Sequence, residues 1–298
     1  MSSNDTAAAL TAAATGPRAG GPLGALMVSE IARGWHRWLF RILASLTLAV
    51  ILVASTIAFF THSRTSSAGV LTSARPPYMA RDLLGPVGLS VMIGMAVLGF
   101  IMGASAGGAD WSSRSMALQL LWEPRRLRLL LSKWFGVLVA VGALSAVAWA
   151  AATACSALTA SMRGSWTGMD GEVWHNVWDF TARGGILVAI AVSLGYSLAI
   201  LVRNTGASLG VAFVYFAIFE NVAAQVLHRF DVFRVLFQPN VAAWLTPGGI
   251  DSRSDRMLAD GSHAVIHTSS LQGLSVLLLY VLVLGIPAVW SFTRRDVS

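Results

Sequence analysis

Residues 184–202 read GGILVAIAVSLGYSLAILV, nineteen positions without a charged side chain. At about 1.5 Å per residue, a helix of that length nearly covers the ~30 Å hydrocarbon core of a bilayer. Backbone groups in lipid must be paired within the segment itself, so the run reads as a helix. The period-2 alternation of a membrane barrel is not visible anywhere in the chain. This stretch therefore decides the class: an all-α integral membrane protein.

Working outward, the same reading recurs. Arg203-Asn204-Thr205 forms a tight hairpin into a second run, Gly206–Val226. Towards the N-terminus lie Trp134–Ala160, Leu83–Ala106 and Phe40–Phe60, and towards the C-terminus Leu271–Phe292. Six transmembrane helices are expected, which puts both termini on one side. With the termini inside, the cytoplasmic segments carry 12 of the 21 Lys and Arg. The densest basic cluster then falls in the second connection, and basic residues collect at cytoplasmic ends. N and C termini are thus expected to be cytoplasmic, in the cell (inner) membrane.

Composition agrees. The chain has 298 residues, 55 % hydrophobic and 12 % charged, with a mean hydropathy of +0.66. A soluble domain carries about 25 % charged residues. The net charge of +7 reads as loop arginine and not as a nucleic-acid-binding balance. Cys155 stands alone within an apolar run and reads as a small buried hydrophobe.

Residues 1–25 are Ala-, Ser-, Thr- and Gly-rich without periodicity, and read as a disordered cytoplasmic tail ahead of a single membrane domain, 26–298. In Leu26–Arg41, Ile31, Trp35 and Trp38 fall on one helical face, with Ser29, Arg33, His36 and Arg37 on the other. That predicts an N-terminal interfacial helix, although the same residues would serve as the first turns of the following span. Trp174 and Trp178 fit an interfacial aromatic belt better than a ligand cage. The third outer connection, Leu227–Ser270, is too long to lack structure, and short helices at the outer interface are expected there.

Three motifs stand out within the spans. Gly99, Gly103 and Gly107 are spaced four apart, which lets helices approach closely in a membrane. Gly206 and Gly210 repeat the pattern more weakly. Glu220, with Asn221 beside it, is the one acidic residue well inside an apolar run. Intramembrane carboxylates are costly and tend to mark function, so Glu220 and Asn221 are candidates for a transport path, against a structural bond to another helix. His263 and His267 have helical metal-ligand spacing but lack the Glu of an HExxH pattern or a nearby Cys. They read as a solvated loop, and no metal site or catalytic constellation is expected.

The connection Ala109–Trp134, ADWSSRSMALQLLWEPRRLRLLLSKW, is of another kind. Met116, Leu120 and Leu121 form a narrow apolar stripe on a polar helix. Pro124 breaks that helix at Glu123, and Arg125, Arg126 and Arg128 follow. Such a segment suits either docking to a partner or an interfacial helix with snorkelling Arg. It also holds the only lysine, Lys133, which follows Ser132. A phosphate-binding P-loop needs Lys after Gly, so an ordinary ATPase site is excluded from this chain.

The order and spacing of these residues resemble the cytoplasmic segment of type-2 ABC exporter permeases. In that family an acidic residue precedes Gly-Thr, a Leu pair, Pro-Arg-Arg and a Lys. Here Asp110 stands for the usual Glu, Arg114-Ser115 for Gly-Thr and Leu120-Leu121 for the Leu pair. Pro124-Arg125-Arg126 and Lys133 match directly. The interfacial N-terminal helix, the long outer loop before the last span and the ending FTRRDV agree, so the resemblance runs from Leu26 onward.

The resemblance implies a bacterial permease subunit of an ABC exporter, a homodimer that binds a separate ATP-binding subunit. The segment between spans two and three would be its coupling helix. Asp110, Trp111, Arg114, Ser115, Leu120, Leu121, Glu123, Pro124, Arg125 and Arg126 would contact the ATPase. ATP and Mg would be held by that partner, with no cofactor in this chain and no enzymatic activity of its own. A stand-alone secondary transporter or channel is the alternative reading, although such folds usually show internal repeats and the two halves are not alike. An intramembrane enzyme is disfavoured by the lack of catalytic groups. Membrane lipids are expected neighbours; nucleic acid is not.

Overall fold

A computed structural model describes residues 38–61, 78–79, 86–112, 125–165, 170–227, 234–257 and 263–294. The expected tail 1–25, most of the interfacial helix, and Arg114, Ser115, Leu120, Leu121, Glu123 and Pro124 lie outside the described residues. Trp38–Arg41, the end of the expected interfacial helix, belongs to the first turn of α1 (Trp38–Thr61).

The apolar runs are helices. After α1 come α2 (Pro86–Ser112), α3 (Arg126–Arg163) and α4 (Gly171–Val202). Then follow α5 (Thr205–Val214), a π-helical turn (Tyr215–Phe219), α6 (Glu220–Leu227), the short α7 (Phe237–Leu245) and α8 (Ser270–Arg294). Among the described residues five helices are long and apolar enough to cross a membrane: Gly88–Trp111, Arg126–Met162, Gly171–Val202, Thr205–Val226 and Ser270–Arg294. The chain is thus a mostly helical, multi-pass membrane protein.

Helices outrun the apolar stretches. α2 continues through Asp110 and Trp111, and α3 begins at Arg126, eight residues before the expected Trp134. The charged ends of the second connection are therefore helical. At its N-terminal end α4 begins at Gly171, capped by Asp170, whose side chain accepts from the Val173 N–H at 3.0 Å. Trp174 and Trp178 are exposed on this projecting part.

α4 is the centre of the molecule, and residues along most of its length are buried. Its partner is α2, and the glycine spacing explains why. A Cβ on Gly103 would stand 2.2 Å from the Val192 carbonyl, and one on Gly107 would stand 2.7 Å from the Tyr196 carbonyl. From the other side, a Cβ on Gly195 would meet the Phe100 carbonyl at 2.1 Å. The two backbones touch, as small residues in lipid permit. Gly99 meets Val188 and Val192 one turn away. By contrast a Cβ on Gly210 would meet nothing within 4 Å among the described residues and one on Gly206 only Asn204 Oδ1, so the second glycine pair makes no such close approach to a described helix.

The connection Leu227–Ser270 holds the expected short helix, α7, and a feature not expected. β3 (Ile250–Met257) pairs antiparallel with β4 (His263–Thr268). On β4, Val265 and His267 are exposed while Ile266 and Thr268 are buried, a period-2 alternation. His263 and His267 are therefore not one helical turn apart but about 13 Å along a strand. His267 instead bonds Asp251, its cross-strand partner, at 2.7 Å. A two-residue parallel ladder joins β1 (Tyr78–Met79) to β2 (Gly164–Ser165).

Candidate functional site

Two polar centres flank the α2–α4 core, one at each end. At the Arg-rich end, Asp110 in the last turn of α2 pairs with Lys133 in the second turn of α3, and both are buried. The pair closes the base of the connection between the two helices. Beside it the Arg203 guanidinium carbon sits 4.6 Å from the centroid of the Trp111 ring, which also forms a T-shaped pair with Phe292 at 6.2 Å. Trp111 thus joins α2, the α4–α5 turn and α8. Arg203 ends α4 in the left-handed region at φ 57, and the next residue, Asn204, caps α5 by accepting from the Ala207 N–H at 2.9 Å. Two helices are closed and opened within two residues, which keeps this turn rigid.

At the opposite end the centre is α7. Glu220 is 1 % exposed, and its Oε1 accepts from the backbone N–H of Gln238 at 2.5 Å, in the first turn of α7. The carboxylate therefore caps a helix N-terminus, where the backbone dipole favours negative charge. At the other end of α7, Arg183 donates to the Trp244 carbonyl at 2.9 Å, while the Trp244 indole donates to the Arg183 carbonyl at 2.9 Å. Arg183 also stacks over the Trp244 ring and bonds Asp179. One short helix is held by an anion from α6 and a cation from α4, each matched to the end of the dipole it meets.

The π-helical turn just before Glu220 is served by its neighbours. Asn221 Nδ2 donates to the carbonyls of Phe216 and Ala217, at 2.9 and 3.1 Å. Asn221 is exposed on a different face from the buried Glu220, so the two candidate path residues do not share a surface. Tyr215 and Tyr280 hydroxyls meet at 2.7 Å beside this turn. Asn240, fully buried, donates twice to carbonyls of the entering chain, at 2.6 Å to Arg234 and 2.6 Å to Leu236. Glu220 Oε2 and Asn240 Oδ1 are buried acceptors without a hydrogen-bond partner among the described residues.

A family model described as "Protein of unknown function (DUF2705)" matches residues 47–298. The chain belongs to this family. The DUF2705 match begins inside α1 and takes in both polar centres, the connection between α2 and α3, and the outer hairpin. A comparison with curated proteins returns no match.

Of the residues expected to meet an ATPase, Asp110 and Trp111 are turned to internal work within this DUF2705 chain, and Arg125 and Arg126 open α3. Sequence reasoning missed Arg183, Gln238, Asn240 and Trp244. In the structure Pro239 sits in the first turn of α7, where its missing N–H has no helical acceptor to lose.

Proposed function

We propose that the chain is the transmembrane permease subunit of an ABC exporter, with six spans once α1 is counted and both termini in the cytoplasm. It works as a homodimer with a separate ATP-binding subunit, which supplies ATP and Mg. The observation that carries the reading is the segment Asp110–Lys133, whose motif order resembles the coupling segment of type-2 exporter permeases. The ion pair between its two end residues supports the reading, because it makes the connection a closed loop with a fixed base.

In this scheme ATP-driven closure of the partner pushes on Arg114, Ser115, Leu120, Leu121, Glu123 and Pro124. Asp110 and Lys133 pass the displacement to α2 and α3 together. Because α2 and α4 touch along their backbones, the push reaches the α4–α5 turn and α7 as rigid-body motion. The buried Glu220 beside a π-helical turn favours a second reading, an ion-coupled transporter in which this carboxylate carries the coupling proton.

Purification of the tagged full chain from its native membrane tests both. An ATP-binding polypeptide should co-purify, and Arg114→Glu should lose it while expression holds. Isolation without any ATPase, and no effect of Arg114→Glu, would overturn the exporter reading.

A further inference from the structure

We propose that a groove between α3, α4 and α8 binds one acyl chain of an anionic phospholipid, with Arg294 at the headgroup. The groove has a volume of about 620 Å³, within the range of ligand sites, roughly 300–1,000 Å³. It runs along α8 from Val281 to Arg294, a rise of about 20 Å. One leaflet of the hydrocarbon core is about 15 Å thick, so the groove spans a leaflet and emerges at its polar edge.

The chemistry of its wall selects an amphiphile. Most polar atoms of the inner wall serve the protein itself. Tyr196 donates its hydroxyl to the Leu130 carbonyl, while Ser193 donates to the Ala189 carbonyl and accepts from the Trp134 indole. Apart from the Ser197 hydroxyl, what remains for a ligand along the length is apolar. At the rim the chemistry changes: Arg294 is exposed and stacks 5.4 Å from the Trp290 ring, which is itself half exposed. No carboxylate among the described residues forms an ion pair with Arg294. Arg125, exposed, stands at the start of α3 on the same end of the bundle. A basic rim over a lipid-accessible cleft complements an anionic headgroup, and each nearby Arg adds to that attraction. The apolar wall would leave a free phosphate nothing to bind but the rim. The proposal holds whether or not the chain is an exporter.

The test uses the full chain in nanodiscs containing phosphatidylglycerol or phosphatidylcholine with a diazirine in the acyl chain. Photolabelling should map to α8 between Val281 and Arg294, at least several-fold more with phosphatidylglycerol. Arg294→Gln should abolish the headgroup preference while labelling persists. Gly285→Leu should suppress labelling with both lipids: a Cβ there meets only Ser197 Oγ, at 3.8 Å, among the described residues, the rest of the side chain enters the groove, and an unchanged melting temperature checks the fold. Labelling spread evenly over other lipid-facing positions such as Phe213, or equal for both headgroups in the unmodified chain, would overturn the proposal. So would a disulfide-linked dimer through Ile286→Cys in a Cys155→Ser background, since that puts a second copy over the groove.

Discussion

Lys133 and Asp110 form a buried ion pair that ties the last turn of α2 to the second turn of α3. Removing one partner strands the other charge in a dry site, and such losses cost about 3–5 kcal/mol. Asp110→Ala should therefore lower the melting temperature of the purified chain sharply. Asp110→Leu combined with Lys133→Met should restore most of it, because the two desolvation costs vanish together. Equal melts for the single and double variants would remove the pair from the account.

The glycine contacts give a contrast within one residue type. Gly103→Ala puts a methyl group within 2.2 Å of the Val192 carbonyl, so the two backbones must part. Overpacking of this kind costs about 1–3 kcal/mol. Gly142→Ala meets nothing within 4 Å and should leave stability unchanged or slightly raised. Thermal unfolding of the two variants side by side separates backbone contact from helix propensity.

Glu220 caps α7 through a single oxygen. Glu220→Gln keeps an acceptor there and should hold α7 in place. Glu220→Ala leaves the Gln238 N–H without a partner, a loss of about 1–3 kcal/mol. Amide exchange over Phe237–Leu245 should then quicken in the Ala variant only. Faster exchange in both variants would mean that charge, and not the hydrogen bond, fixes the helix.

Arg203 combines an unfavourable backbone with a favourable stack. Arg203→Gly relieves the left-handed conformation, worth about 1–2 kcal/mol for a residue with a Cβ, while losing the contact to Trp111. Arg203→Ala loses the contact and keeps the strain. The Gly variant should melt above the Ala variant, and the reverse order would show that strain at this turn is negligible.

The spans could be read because each is a long apolar run with at most one charged residue, and helix is the backbone solution lipid permits for such a run. Their ends could not. Asp110 and Lys133 look like loop residues by polarity, yet they are helical because each pairs with the other inside the fold, and Trp111 is held beside them by Arg203. The outer hairpin was missed although Asp260-Gly261 carries a turn signal ahead of the β-branched HAVIHT. A short helix was expected in this connection, but the bounds of α7 were hidden by Pro239, since a proline ends a helix or starts one depending on its position. The clamp on α7 was not legible at all: Arg183 and Glu220 are 37 positions apart, and only the tertiary fold brings each to an end of α7.

That clamp makes α7 a strut of fixed length with unlike ends. Its carboxylate mooring belongs to one membrane helix and its guanidinium mooring to another, so it measures the gap between them. While both moorings hold, the ends of α4 and α6 that meet α7 can pivot but cannot spread. Any rearrangement that draws those two ends apart must let go of one mooring first, and which it releases decides the helix that α7 travels with.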